Sequence, residues 1–186
     1  MYPLRSTEKG QIGWVTGLWF LLFLWILLCA CLQMELFRAS SRYMEDALAA
    51  SNLAAAVIDV EEYGISHNIR IDSHEEAYRQ YQRALRGNLG LNAEWECENK
   101  KMISGPVSIE NFTVYNVVGG EVEAYSYDKS GVMSYQCGSL GQVTAPNGIR
   151  IEHTGIYSEI SYQIKGLFGI EVTAWKGKLV DVAENR

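Results

Sequence analysis

The sequence predicts an α+β protein hung on one long N-terminal helix. That helix spans a membrane, continues as an amphipathic spine, and packs with a short second helix against an antiparallel β-sheet. Three observations predict it. Gln11 to Met34 is a run of 24 residues without a formal charge. Met34 to Tyr63 contains neither Pro nor Gly. After Gly105-Pro106 the apolar residues alternate with a period of two, the signature of half-buried strands.

The uncharged run comes first. At 1.5 Å of rise per residue such a helix reaches about 36 Å, enough to cross a hydrocarbon core about 30 Å thick with some tilt. Trp14, Trp19 and Trp25 suit a membrane segment, and Trp14 lies where an aromatic belt forms. No polar face interrupts the run, as one would in a soluble core helix. The chain therefore divides into a head or leader at 1–10, a transmembrane segment at 11–34 and an α+β domain at 35–186. Arg5 and Lys9 precede the segment; Arg38 and Arg42 follow it. With the N-terminal amine added, the positive-inside rule favours a cytoplasmic N-terminus and a domain outside the cytoplasm.

The spine is expected over 35–62. Ala and Leu dominate Ala47 to Ala56, and both are strong helix formers. Leu36/Phe37, Tyr43/Met44, Ala47/Leu48, Ala54/Ala55 and Ile58 recur at helical spacing and mark one apolar face. Arg38, Arg42, Glu45, Asn52 and Asp59 fall largely elsewhere. Gly64 is a natural stop. One helix from Gln11 to Glu62 would be about 75 Å long. A second helix is expected over 73–86. Ser73 and Glu76 form a capping box, with Asp72 as a competing cap, and Gly87 ends the helix. Its stripe is Ala77, Tyr78, Tyr81, Ala84 and Leu85.

The sheet is expected over 107–182. Val107 to Val118 reads as one long strand or a strand pair, with an irregularity near Asn111-Phe112. Gly119-Gly120, Asp128 to Gly131, Pro146 to Gly148 and Lys165 to Gly169 are the turns. Glu121 to Tyr127, Val132 to Cys137, Glu159 to Ile164, Ile170 to Ala174 and Leu179 to Val182 supply further strands. Tight turns between strands give an antiparallel sheet with one buried face, covered by the spine and second helix.

Charge and composition narrow the function. The part after Leu32 carries 14 Lys+Arg against 21 Asp+Glu. That balance argues against nucleic acid and anionic membrane surfaces as partners. No nucleophile elbow, phosphate loop or dinucleotide fingerprint occurs, so the reading is a non-enzyme without cofactor or small-molecule substrate. His67, His74 and His153 match no zinc motif and read as surface or capping residues. Glu94, Glu96 and Glu98 read as the wet face of a strand. Asp128-Lys129-Ser130-Gly131 reads as an ordinary turn before a calcium loop. Asn111-Phe112-Thr113 is a glycosylation sequon, a common pattern. Cys97 and Cys137 are the only cysteine pair in the domain; a disulfide and two separate thiols stand as equal alternatives.

Two motifs sit at the membrane end. Leu28-Cys29-Ala30-Cys31, with Arg5 and Lys9 upstream, resembles a bacterial lipoprotein signal. It implies an alternative in which Cys31 is acylated and the domain is a surface binding module. Glu8-Lys9-Gly10 before the apolar run resembles the junction of type IV pilins and pseudopilins, with TadE-like proteins closest. Those families share one N-terminal membrane helix, an Ala-rich continuation like Asp46 to Ala56, and a β-rich end. The resemblance implies a processing junction at Gly10-Gln11 and a minor pilin-like subunit or assembly factor. Its partners would be the membrane and other pilin-like subunits or assembly proteins. The chain departs from the family at one position. The family Glu five residues after the junction is Val15 here, and no acidic residue occurs until Glu35.

Helices associate in lipid by packing and hydrogen bonding, so small residues matter there. Gly13, Thr16 and Gly17 make such a patch. Above the membrane, Leu36, Tyr43 and Met44 are expected to be open to partners, and Ala47 to Ile58 to join the domain's own core.

Overall fold

The computed structural model describes residues 7–97, 103–166 and 169–182, with side chains described from position 13 onward. Arg5, Glu98, and Leu167 and Phe168 of the Lys165–Gly169 turn lie outside the described residues.

Helix α1 runs from Thr7 to Ala55 without a break. Its 49 residues make a rod about 73 Å long. The expected spine to Glu62 is corrected at its upper end. The chain from Val57 to Asp59 leaves the helix and pairs with Arg70 to Asp72 instead. Ile58 bridges Ile71, and the Asp59 N–H donates to the Arg70 carbonyl at 2.9 Å. Asp59 then starts a separate helix, α2 (Val60–Ser66). Its Oδ1 accepts the Glu61 and Glu62 N–H groups at 3.0 and 2.9 Å. Gly64 falls inside α2, and His67, at φ 57°, is the left-handed cap.

Helix α3 spans His74–Leu89. Ser73 caps it, accepting the Glu76 N–H at 3.3 Å. Gly87 does not end it. The last turn continues to Leu89 because that side chain is buried, and Gly90 closes the helix at φ 60°.

Five strands follow: β1 (Ser108–Val118), β2 (Glu121–Asp128), β3 (Met133–Ser139), β4 (Gly155–Lys165) and β5 (Glu171–Asp181). They form one antiparallel sheet in the order β3-β2-β1-β4-β5. β1 is one long strand, and its irregularity is a register shift against β4 between Ile109 and Asn111. Gly119 and Gly120 both have positive φ, as a two-residue hairpin turn requires.

The main core lies between the sheet and helices α1 and α3. Leu48, Tyr81, Leu85, Phe112, Val114, Ile156 and Ile160 are fully buried there. On α1 the buried positions are Ser40, Met44, Ala47, Leu48, Ser51, Asn52 and Ala55. They recur at three- and four-residue steps, so one continuous stripe faces the sheet. The opposite sheet face is not simply solvated, as the sequence suggested. Tyr115, Val122, Ala124 and Tyr157 pack there against Ala145 and Ile151 of the β3–β4 connection, forming a second, smaller core.

Of the two alternatives for Cys97 and Cys137, the structure has the two separate thiols. Cys97 is buried, its Sγ 3.5 Å from the Leu89 carbonyl. Cys137 is exposed on the edge strand β3, in a different environment. Asn52 does not fall outside the core-facing stripe. It is buried and bridges three backbone or side-chain partners. Its Nδ2 donates to the Ile156 and Lys178 carbonyls at 3.3 and 3.0 Å, and its Oδ1 accepts from Ser158 Oγ at 2.7 Å. A buried amide so paired is tolerated, and it fixes the helix against both β4 and β5.

Candidate interaction surface

The lower half of α1 touches little of the rest of the protein. Every described residue from Gly13 to Leu28 is exposed. The segment has a mean hydropathy of 2.5 in its most apolar window and is one candidate membrane-spanning helix by length and composition. A row of exposed Trp, Phe and Leu is costly in water and ordinary in lipid. Gly13, Thr16 and Gly17 share one face at steps of three and four. A Cβ placed on Gly13 or Gly17 would meet nothing within 4 Å. That face is open to the close approach of a second helix.

The expected partner surface higher up divides. Leu36 is half-buried. Tyr43 is 41% exposed and donates its hydroxyl proton to the Asn88 carbonyl at 3.0 Å. Met44 is corrected: at 0% exposure it belongs to the chain's own core and offers nothing to a partner. The cause is the downward reach of α3 and β5 along the helix, which the sequence pattern did not locate.

Charge pins this junction. Glu45 Oε2 and Oε1 lie 2.9 and 2.8 Å from Nζ of Lys176 and Lys178. Lys176 Nζ also donates to Ser41 Oγ at 3.3 Å. Hydrogen bonds from Lys178 and Lys176, reinforced by their charge, hold the Glu45 carboxyl down at about 2. One helical carboxylate thus clasps the edge strand β5. In the sequence Glu45 is one more polar-face residue, because its partners lie more than 130 residues away.

The remaining candidates are placed as follows. The α1 backbone is helical through Gly10 and Gln11. Cys31 is exposed on α1, and Cys29 is half-buried. His67 and His153 line one cleft of about 600 Å³ at the far end of the domain, with Tyr63, Glu152 and Thr154. His74 is elsewhere: it stacks on Tyr125 at 4.5 Å, with Nδ1 2.7 Å from the Tyr127 hydroxyl. Among the described residues no group of three or more His, Cys, Asp or Glu is arranged to hold a metal ion. Asp128 Oδ1 accepts from the Ser130 and Val132 N–H groups and Ser130 Oγ, which makes its loop a self-satisfied turn. Those bonds, led by the Ser130 hydroxyl, lower the Asp128 carboxyl. Asn111 lies within β1, its Oδ1 accepting from Thr113 Oγ1 at 2.7 Å.

Comparison with protein-family models, with curated proteins and with solved structures gave no match.

Proposed function

We propose that this chain is a membrane-anchored structural subunit or assembly factor of a Tad or type IV-like pilus or secretion system. Its N-terminus is cytoplasmic and its α+β domain stands outside the cytoplasm. The observation that carries the reading is the unbroken α1, exposed and apolar at one end and the spine of a folded domain at the other. Such an element couples packing in lipid to the position of a surface above it. The function is mechanical: the lower helix packs on neighbouring helices through Gly13, Thr16 and Gly17, and the domain presents contacts to other subunits. Substrate chemistry has no part in it.

Mass spectrometry of the mature N-terminus, purified from membranes of cells that carry a prepilin peptidase, tests the reading. An N-methylated Gln11, together with recovery of pilin-like proteins after cross-linking, is the expected result. An intact N-terminus with those partners recovered keeps the assembly role and removes processing at Gly10-Gln11. Diacylglycerol on Cys31 would overturn the proposal in favour of a lipoprotein binding module.

A further inference from the structure

We infer that the foot of the β4–β5 hairpin, at Gly166, Ile170 and Val172, rests on the lipid surface beside α1, so that the domain sits on the bilayer at two points. The inference relies on α1 spanning the membrane. Gln33 stands twenty positions after Gly13, and at 1.5 Å per residue that span covers about 30 Å, the thickness of a hydrocarbon core. Gln33 is the first polar side chain above that length, two residues below Glu35, the first charge. It therefore marks the outer edge of the hydrocarbon.

The hairpin reaches this level at Gly166. Gly166 packs so tightly on Gln33 that a Cβ there would overlap the Gln33 amide nitrogen. The turn is closed by the Gly166 N–H donating to the Ile170 carbonyl at 2.7 Å. Two apolar side chains next to it lack cover: Ile170 is 61% exposed and Val172 40%. At the same height on α1, Leu32 and Met34 are each more than half exposed. Water is a poor solvent for that group, and the acyl boundary a good one. Lys165 and Glu171 face each other in register at the foot of the hairpin, both exposed. The lysine stem can lie along the apolar residues with its ammonium at the phosphates. Glu171 favours a neutral lipid surface over an anionic one, as does the acidic balance of the whole domain.

The test uses the full chain in phosphatidylcholine vesicles, with a photoreactive benzophenone residue replacing Ile170, Leu24 or Leu53 in turn. Leu24 reports the membrane core, and Leu53, about 30 Å above Gln33 by the same rise, reports water. Protection of the Phe112 amide from exchange verifies that each variant folds. Lipid adducts at positions 170 and 24, and none at 53, are expected. An adduct at 24 alone overturns the inference and leaves the membrane span standing. No adduct at either overturns both.

Discussion

The two halves of α1 share a backbone and almost nothing else. From Gly13 to Leu28 the helix carries no charge and every residue is exposed. From Ser40 to Ala55 it is two-faced, with one stripe fully buried. In lipid, the setting proposed for the lower half, hydrocarbon forces backbone groups to pair internally and so favours a helix whatever its sides carry. The upper half is stable because the sheet buries its stripe. The same substitution should therefore have different consequences for the domain at the two heights.

Leu48→Ala should lower the stability of the domain by about 2–5 kcal/mol, because Leu48 is wholly enclosed. Leu24→Ala should leave that stability unchanged within error. Denaturant titration of the detergent-solubilised chain reads both, and equal losses would erase the distinction between the halves. Leu24→Arg sharpens it from the other side. A charge at mid-membrane costs about 2.5–3.5 kcal/mol of insertion on biological scales. The variant should shift from the membrane to the soluble fraction while the amides of β1 keep their exchange protection.

Asn52→Ala strips the buried bridge to β4 and β5, removing the donor to the Ile156 and Lys178 carbonyls and the acceptor of the Ser158 hydroxyl. A loss of about 1–3 kcal/mol is expected, with β5 amides exchanging faster than those of β2. Glu45 gives the smallest effect. Its carboxyl is lowered from 4.5 to about 2, so its contribution is present above pH 4.5 and vanishes as pH falls toward 2. The carboxylate is over a third exposed, which holds that contribution to about 1 kcal/mol or less. Glu45→Gln should flatten the stability curve across that window.

The fold class and most elements were legible in the sequence, because they follow from local rules. The uncharged run, the Ser73 cap, the Gly119-Gly120 turn and the alternation of β1 to β5 each act within a few residues. The upper end of α1 was misplaced although a signal existed. Asp59 and Glu62 have the spacing of a helix start, but Asp59 read as one more polar-face residue. What ends the rod is pairing of Ile58 with Ile71, a tertiary event. The burial of Met44 and the roles of Asn52 and Glu45 were illegible for the same reason. Each depends on strands that are far away along the chain. The second core beneath Ala145 and Ile151 depends on a connection with little periodicity of its own. Of the candidate interaction surface, the small patch at Gly13 to Gly17 was readable, while the seat of Gly166 against Gln33 required the packed hairpin.

An unbroken helix also transmits angle. Between Gln33 and Ser40 there is no hinge to absorb a twist, so the compass bearing of the domain is keyed to the bearing of Gly13 and Gly17 below. One residue inserted there would turn the domain by about 100° relative to the lower helix and lift it about 1.5 Å. Seven inserted residues would nearly restore the bearing while raising the domain by about 10 Å. Orientation and height can therefore be reset separately by insertion length, as with the teeth and shank of a key.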